Sequence, residues 1–122
     1  MAKKILIIDD ERAIVKVLVS RLTMHGFEVD SAGDGESGFE KTRKFTPDVI
    51  LMDISMPGWN GIETAKRLKD NPGTADIPII FLTALSEESI SRKYLENSKY
   101  YVLLKPFKVE ELLTILSDDL GM

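Results

Sequence analysis

Four short apolar runs of this sequence are followed by polar residues that could bind a metal ion or take part in a reaction. In chain order these residues are Asp9, Asp10 and Glu11 after KILII, Asp53 after VILM, Thr83 after IPIIFL, and Lys105 after YYVLL. Each has a simple structural explanation when it is taken alone, since acids favour helix starts and a lone threonine or lysine carries little information. The shared position at the ends of apolar runs is therefore the informative feature.

Several carboxylates at one place would repel one another and raise each other's pKa unless a cation were present. Oxygen ligands favour a hard ion, and Mg²⁺ characteristically binds through a few carboxylates together with phosphate oxygens. A carboxylate beside Mg²⁺ can also attack phosphorus and form an aspartyl phosphate. That reaction needs a cation and a hydroxyl donor for the phosphoryl oxygens, and Lys105 and Thr83 supply both types.

The elements that must position these residues are strands and helices in alternation. Five strand-like runs cover residues 4–8, 27–32, 48–52, 77–82 and 100–104. Alternation of strands with helices predicts a (βα)5 fold with a mainly parallel sheet, in which ligands bind beyond the carboxyl ends of the strands. FEVDSA alternates polar and apolar residues, which is typical of a strand near an edge.

Helical stripes of apolar residues separate the strand-like runs. The clear stripes are Ile14, Val17, Leu18 and Leu22 in the first helix, Ile62, Ala65 and Leu68 in the third, and Val109, Leu112, Leu113, Leu116 and Leu120 in the last. Thinner stripes around Gly38 and around Ile90, Tyr94 and Leu95 predict a second and a fourth helix. Gly26 is expected to end the first helix in a left-handed conformation.

The composition narrows the class of protein. The chain has 122 residues, no cysteine and a formal net charge of −4, which together predict one domain without disulfides or thiolate metal sites. Interleaved acidic and basic residues give no broad basic surface, so direct nucleic-acid binding is not expected. No apolar run approaches the length of a membrane span, and a cytoplasmic protein that does not contact a membrane is expected.

The motifs ILIIDDE, PDVILMDISMPGWNG, IPIIFLTA and LLKPF resemble, in order and spacing, the receiver domain of two-component response regulators. The resemblance covers the whole chain and implies a doubly wound, flavodoxin-like sheet of strand order 2-1-3-4-5. It implies that a histidine kinase or phosphotransfer protein delivers a phosphoryl group to Asp53. It also implies that Asp9, Asp10, Asp53 and the backbone carbonyl of Ser55 hold Mg²⁺, while Thr83 and Lys105 bind phosphoryl oxygens.

The same resemblance places a signalling surface at residues 86–119, which would contact a protein target that the sequence does not name. A monomer or a weak, phosphorylation-dependent dimer is expected on family grounds. The sequence departs from the family near this surface, because Ser98 and Lys99 replace a usual Gly-Ala pair and Val102 replaces a usual aromatic residue. Tyr101 is adjacent but should face the opposite side of the sheet. The switch would use another group, or the domain would relay phosphate with weak conformational output.

Two other functions fit parts of the pattern. A Mg²⁺-dependent phosphatase with an aspartyl nucleophile would share the chemistry, but that class normally has a second acid two residues after the nucleophile, where this chain has Ser55. A flavodoxin-like nucleotide-binding module is disfavoured because acids follow the first strand. The chain ends one helix after LLKPF, so no effector domain is expected. Trp59 suggests either loop packing or a partner contact, and His25 suggests helix-end electrostatics.

Overall fold

A five-stranded parallel sheet forms the centre of the protein. The computed structural model describes residues 2–84 and 100–122, and the predicted fourth helix lies outside these ranges. The strands are β1 Lys4–Ile8, β2 Glu28–Ala32, β3 Val49–Asp53, β4 Ile79–Thr83 and β5 Tyr100–Leu104. Their order in the sheet is β2-β1-β3-β4-β5, with every pairing parallel. This order confirms the predicted flavodoxin-like arrangement.

Helices cover both faces of the sheet. They are α1 Arg12–Met24, α2 Gly35–Phe45, α3 Gly61–Asp70 and a C-terminal helix Val109–Thr114, which continues as a wider π-helical turn over Ile115–Asp119. Ile5 and Ile7 of β1 face the layer that contains α1 and the C-terminal helix. Leu6 and Ile8 face the layer that contains α3 and Phe39 of α2. No helix in the described ranges is long and apolar enough to cross a membrane.

The central strands are buried throughout, as their continuous apolar sequences predict. Every residue of β3 and of β4 is buried, because helices cover both faces of a parallel sheet. β2 has an exposed residue and three half-buried ones, and among the described strands it pairs with β1 alone. The alternating sequence of FEVDSA therefore predicted its edge position correctly.

Strands β3 and β4 end one residue later than the apolar runs suggest. Asp53 is the last residue of β3 and aligns with Leu82, and Thr83 is the last residue of β4 and aligns with Leu104. Apolar character could not reveal this extension, because backbone pairing with the neighbouring strand continues through a polar residue. Both side chains are consequently carried by hydrogen-bonded strand backbone rather than by loops.

The apolar stripe of α1 is turned relative to the prediction, because Val15 and Val19 pack with Leu18 and Leu22 against the core. Leu18 and Leu22 are buried, whereas the side chain of Val17 is 56% exposed. Val17 lies outside the buried face of the helix, where it lines a groove with Phe107 and Val109. The prediction of Val17 as a core residue was therefore wrong, because the contact face extends from Leu18 towards Val15 and Val19, and Val17 lies on the other side of Leu18.

Helix ends follow the sequence signals. The Asp34 carboxylate caps α2 by accepting a hydrogen bond from the Ser37 N–H at 2.8 Å, and the Asn60 side chain caps α3 by accepting one from the Glu63 N–H at 2.9 Å. The bond from Ser37 also lowers the pKa of Asp34. Gly26 has a φ of 91°, which confirms the left-handed residue predicted after α1.

Gly61 brings the start of α3 against the end of β3. Its N–H donates to the Ile54 carbonyl at 2.9 Å, and a Cβ at this position would overlap the carbonyl oxygen of Asp53 and approach the Cα of Ile54 to 2.8 Å. Both obstacles are backbone atoms, which cannot rotate away as a side chain can. Glycine is therefore required by the close approach of helix and strand.

We expect Gly61→Ala to lower the free energy of unfolding by about 1 to 3 kcal/mol, because the added methyl group overpacks the end of β3. Gly33→Ala is the matched control, since nothing lies within 4 Å of a Cβ at that position, and its stability should change little. Urea unfolding of both variants tests the prediction. Equal stability of the two variants would contradict it.

Candidate functional site

Three carboxylates meet at the carboxyl end of the sheet. Ile8 of β1 aligns with Met52 of β3, so the next residues, Asp9 and Asp53, come side by side. Asp10 follows Asp9, and one carboxylate oxygen from each of the three acids lies within 4.8 Å of the others. Asp9 and Asp53 are buried, at 2% and 3% exposure, while Asp10 is exposed. The parallel register therefore assembles the predicted acidic group.

The ammonium group of Lys105 lies among these acids. Its Nζ is 3.0 Å from Asp9 Oδ2, 2.9 Å from Glu11 Oε1 and 3.7 Å from Asp53 Oδ2. The lysine side chain is only 11% exposed. Its backbone N–H donates to the Thr83 carbonyl at 2.8 Å, which fixes the segment after β5 to the end of β4.

Thr83 and Ser55, the remaining residues of the predicted site, lie at the same edge. Thr83 is fully buried and lies one position beyond Leu82, the residue aligned with Asp53. Ser55 is exposed, and its backbone N–H donates to Asp53 Oδ1 at 3.3 Å. The sheet edge thus brings together all six residues named in the sequence prediction.

The pKa of Asp53 reflects the crowding of acids at this edge of the sheet. Burial, and next the negative charge of Asp9, raise the pKa of Asp53 from 3.8 to about 6, although Lys105 and the hydrogen bond from Ser55 act in the opposite direction. Burial alone would lower the pKa of Lys105, but hydrogen bonds to Glu11 and Asp9 outweigh it, so that this pKa is raised. One ammonium therefore does not fully compensate the acids around it.

The donor set fits a hard divalent cation. The three clustered groups are carboxylates, which are the ligands that Mg²⁺ prefers. The exposed Asp10 leaves the cluster open to solvent, so that water ligands and a phosphate oxygen could complete an octahedral shell. The raised pKa of Asp53 gives independent support, because it marks a place where additional positive charge would be favourable.

Glu11 was named beside Asp9 and Asp10 at the end of the first apolar run, but no role in the site was predicted for it. Its place directly after Asp9 and Asp10 was attributed to the start of a helix, yet its side chain makes no capping hydrogen bond to α1. The carboxylate contacts Lys105 instead. The spacing of residues 11 and 105 could not reveal this contact, because it depends on the tertiary structure.

Trp59 and His25 contact neighbouring residues of the fold. The Trp59 ring lies edge-on to Phe39, at a centroid separation of 6.2 Å, and the Arg67 guanidinium lies 4.0 Å from its centroid. This arrangement favours the loop-packing interpretation of Trp59. His25 is the residue that ends α1, and its Nδ1 is 3.0 Å from the Arg21 carbonyl oxygen, which agrees with the predicted location at a helix end.

Comparison with known proteins identifies the family to which this chain belongs. The family model of the response regulator receiver domain matches residues 5–117. The chain belongs to the response regulator receiver family. This match confirms the resemblance inferred from the four motifs, and it places the receiver in two-component signal transduction rather than among the phosphatases or nucleotide-binding modules.

Relatives of this receiver include regulators that are longer than this chain. The response regulator PleD of Caulobacter vibrioides is 37% identical over 106 residues, which cover 87% of this chain and 23% of PleD. The phosphate regulon transcriptional regulatory protein PhoB of Pseudomonas aeruginosa is 40% identical over 116 residues, which cover 95% of this chain and 51% of PhoB. The chain therefore spans only a quarter to a half of these relatives.

Solved structures of single receiver domains match over their full length. Vibrio cholerae chemotaxis protein CheY4 has a TM-score of 0.86 at 31% identity, covering 96% of this chain and 98% of that protein. The receiver domain of the sensor histidine kinase PA1611 of Pseudomonas aeruginosa has a TM-score of 0.87 at 28% identity, with both chains fully covered. That structure holds a magnesium ion coordinated in its active-site cleft.

Tyr101 and Val102, which are neighbours in β5, face opposite layers of the fold. Tyr101 packs with the layer of α1 and the C-terminal helix, and Val102 packs with the layer of α3. The expected opposite orientation of Tyr101 is therefore correct. Residues 98 and 99, and much of the predicted signalling surface at 86–119, lie outside the described residues.

The raised pKa of Asp53 predicts a pH-dependent stability of the metal-free receiver. Between pH 4 and 6 the folded state binds more protons than the unfolded state, so stability falls as the pH rises through this interval. Asp53→Asn removes the buried charge and should raise the free energy of unfolding by about 1 to 3 kcal/mol at pH 7.5. At pH 4 the same substitution should have little effect.

Urea unfolding in the presence of a chelator measures both values. Asp76→Asn is the control, since Asp76 is an exposed residue that precedes β4, at the opposite end of the sheet. An equal effect of Asp53→Asn at the two pH values would contradict the assignment of a raised pKa to this carboxyl.

Proposed function

We propose that Asp53 accepts a phosphoryl group from a histidine kinase or a phosphotransfer protein, and that the receiver then signals to a protein target. The observation that carries the proposal is the buried Asp53 carboxylate, held at the end of β3 beside two further acids and 3.7 Å from the Lys105 ammonium. Burying an acid costs free energy unless the charge is paired and hydrogen-bonded, so a buried carboxylate at this position points to a functional role. Family membership supports the same role.

The transfer is a displacement at phosphorus. An oxygen of the Asp53 carboxylate forms the new O–P bond while the bond between phosphorus and the donor nitrogen or oxygen breaks, and the leaving group keeps the electron pair. The imidazole of a phosphohistidine donor leaves with that pair and takes up a proton, whereas acetyl phosphate leaves acetate. Asp53 must be ionised to attack, so nearby positive charge favours the reactive form.

The side chains of Asp9, Asp10 and Asp53, with the backbone carbonyl of Ser55, would hold Mg²⁺ in this proposal. A bound Mg²⁺ supplies divalent charge that neutralises the equatorial oxygens of the transferring group. Lys105 would contribute its ammonium to the same oxygens, and the buried Thr83 hydroxyl would donate a hydrogen bond to them. Asp53 and Thr83 are carried by paired strand backbone, which favours a fixed position of the nucleophile and of the hydroxyl donor.

The receiver would therefore assist its own phosphorylation without being an enzyme that acts on other molecules. The two hydrophobic layers on a single sheet support residues 1–122 as one receiver domain. Its downstream surface would lie at residues 86–119, and a monomer or weak phosphorylation-dependent dimer would suit a reversible signal. Transcriptional regulation is a property of PhoB as a whole protein.

We predict that acetyl phosphate with Mg²⁺ adds one phosphoryl group to the protein, because the site supplies both nucleophile and charge compensation. Intact mass spectrometry measures the addition, and reduction of the acyl phosphate with borohydride locates it at Asp53. Asp53→Asn should abolish the modification, while Asp76→Asn, which alters an exposed acid elsewhere, should not. Full modification of Asp53→Asn would refute the assignment.

We predict that Asp10→Ala weakens Mg²⁺ binding by roughly tenfold or more, since one of three clustered charges is lost. Isothermal titration calorimetry provides the affinity directly. Glu36→Gln removes an exposed carboxylate from the first turn of α2 and serves as the control for general charge effects. Equal affinities of the two variants would place the metal elsewhere.

A further inference from the structure

Lys105 does not point primarily at the residue it is proposed to assist. Its Nζ contacts Glu11 at 2.9 Å and Asp9 at 3.0 Å, but the oxygen of Asp53 lies 3.7 Å away. Two of the three ammonium protons are thus directed at acids other than the phosphoacceptor. A lysine ammonium is a compact charge on a flexible stem, so this distribution can change when a neighbouring charge changes.

Glu11 differs from the other partners of Lys105. Asp9 is buried and also accepts the Glu11 N–H at 2.9 Å, and it belongs to the clustered acids that fit a divalent cation. The side chain of Glu11 is 54% exposed. When a cation engages Asp9, Glu11 remains as the acid that can still hold the ammonium on the outer side of the site.

The local structure leaves the Glu11 carboxylate available for this contact. Glu11 is the residue that precedes α1, and its backbone carbonyl accepts the Val15 N–H at 3.1 Å. Its side chain makes no capping hydrogen bond, and Glu is not among the residues that favour capping at this position. The contact with Lys105 is therefore not a by-product of helix capping.

We propose that Glu11 is a positioning residue that holds Lys105 away from Asp53 and releases it when a phosphoryl group arrives. The inference rests on the proposed phosphorylation of Asp53. The arriving phosphoryl oxygens compete with Glu11 for the ammonium, and the half-exposed glutamate is hydrated once it is released. Glu11 therefore adds a cost to the step in which Lys105 moves to the reacting group, which slows phosphorylation and favours the resting arrangement.

Glu11→Gln retains the shape of the side chain and removes its charge. In the presence of saturating Mg²⁺, phosphorylation by acetyl phosphate should become about two- to fivefold faster, which is the range expected for a partly exposed ion pair. Removal of any acid near the site could also reduce repulsion of the anionic donor. Glu36→Gln provides a matched control for that effect, because Glu36 is exposed at the start of α2, on the same edge of the sheet.

A double-mutant cycle separates the two explanations. In a Lys105→Gln background, Glu11→Gln should no longer change the rate, because the ammonium that it holds is absent. A rate increase of the same size in both backgrounds would overturn the proposal in favour of donor repulsion. An unchanged rate for Glu11→Gln in the parent protein would also overturn it.

A second measurement does not depend on phosphorylation. The ¹⁵N resonance of the Lys105 ammonium in the metal-free protein, assigned by its loss in Lys105→Arg, should shift in Glu11→Gln and stay fixed in Glu36→Gln. An unshifted resonance in Glu11→Gln overturns the contact itself. If the parent protein takes up no phosphoryl group at all, the proposed function fails and the release step fails with it, whereas the resonance still decides whether Glu11 holds the lysine.

Discussion

The burial of two like charges side by side is the main electrostatic constraint on this structure. Parallel pairing of β1 and β3 places the carboxylates of Asp9 and Asp53 next to each other, where little water reaches them. Water would screen such a pair at the surface, but a buried pair requires positive charge from the protein or from an ion. Lys105 supplies part of that charge, which explains why a long, flexible side chain is almost fully buried.

The surrounding fold keeps this unfavourable arrangement from relaxing. The acids extend from strands that are buried on both faces, and the apolar layers on either side are packed against helices. A shift of either strand by one residue would move each of its buried side chains into the opposite layer, so the packing of both layers keeps the backbone that carries the acids in place. The stability of the core therefore maintains the electrostatic imbalance at its edge, and this imbalance supports the proposed binding of a divalent cation.

Sequence patterns predicted the architecture because each pattern reflects a local cause. Continuous apolar runs predicted buried parallel strands, the alternation of FEVDSA predicted the edge strand, and Gly26 predicted a helix end. The candidate residues could be grouped because parallel strands end at one edge. The pattern also placed Val17 in the buried stripe of α1, although Val15 and Val19 pack there instead. Apolar residues lie on both sides of Leu18, and the sequence does not show which side faces the sheet.

The details of the site could not be predicted in the same way. Whether Lys105 contacts Glu11, Asp9 or Asp53 depends on distances between segments that are far apart in the chain. Glu11 also resembled a residue that simply favours a helix start. The pKa of Asp53 depends first on burial, which a sequence shows only as a neighbouring apolar run and not as a degree of exposure.

The close approach at Gly61 has a consequence for how this protein could be redesigned. The segment at residues 54–60 leaves β3 and returns to it, because the Gly61 N–H is bound to the Ile54 carbonyl and the glycine touches the backbone of Asp53. Both ends of the segment are thus anchored to the same strand end. The exposed residues within it, Ser55 among them, form a replaceable module whose side chains can be exchanged while the strand that carries the Asp53 carboxylate stays in place.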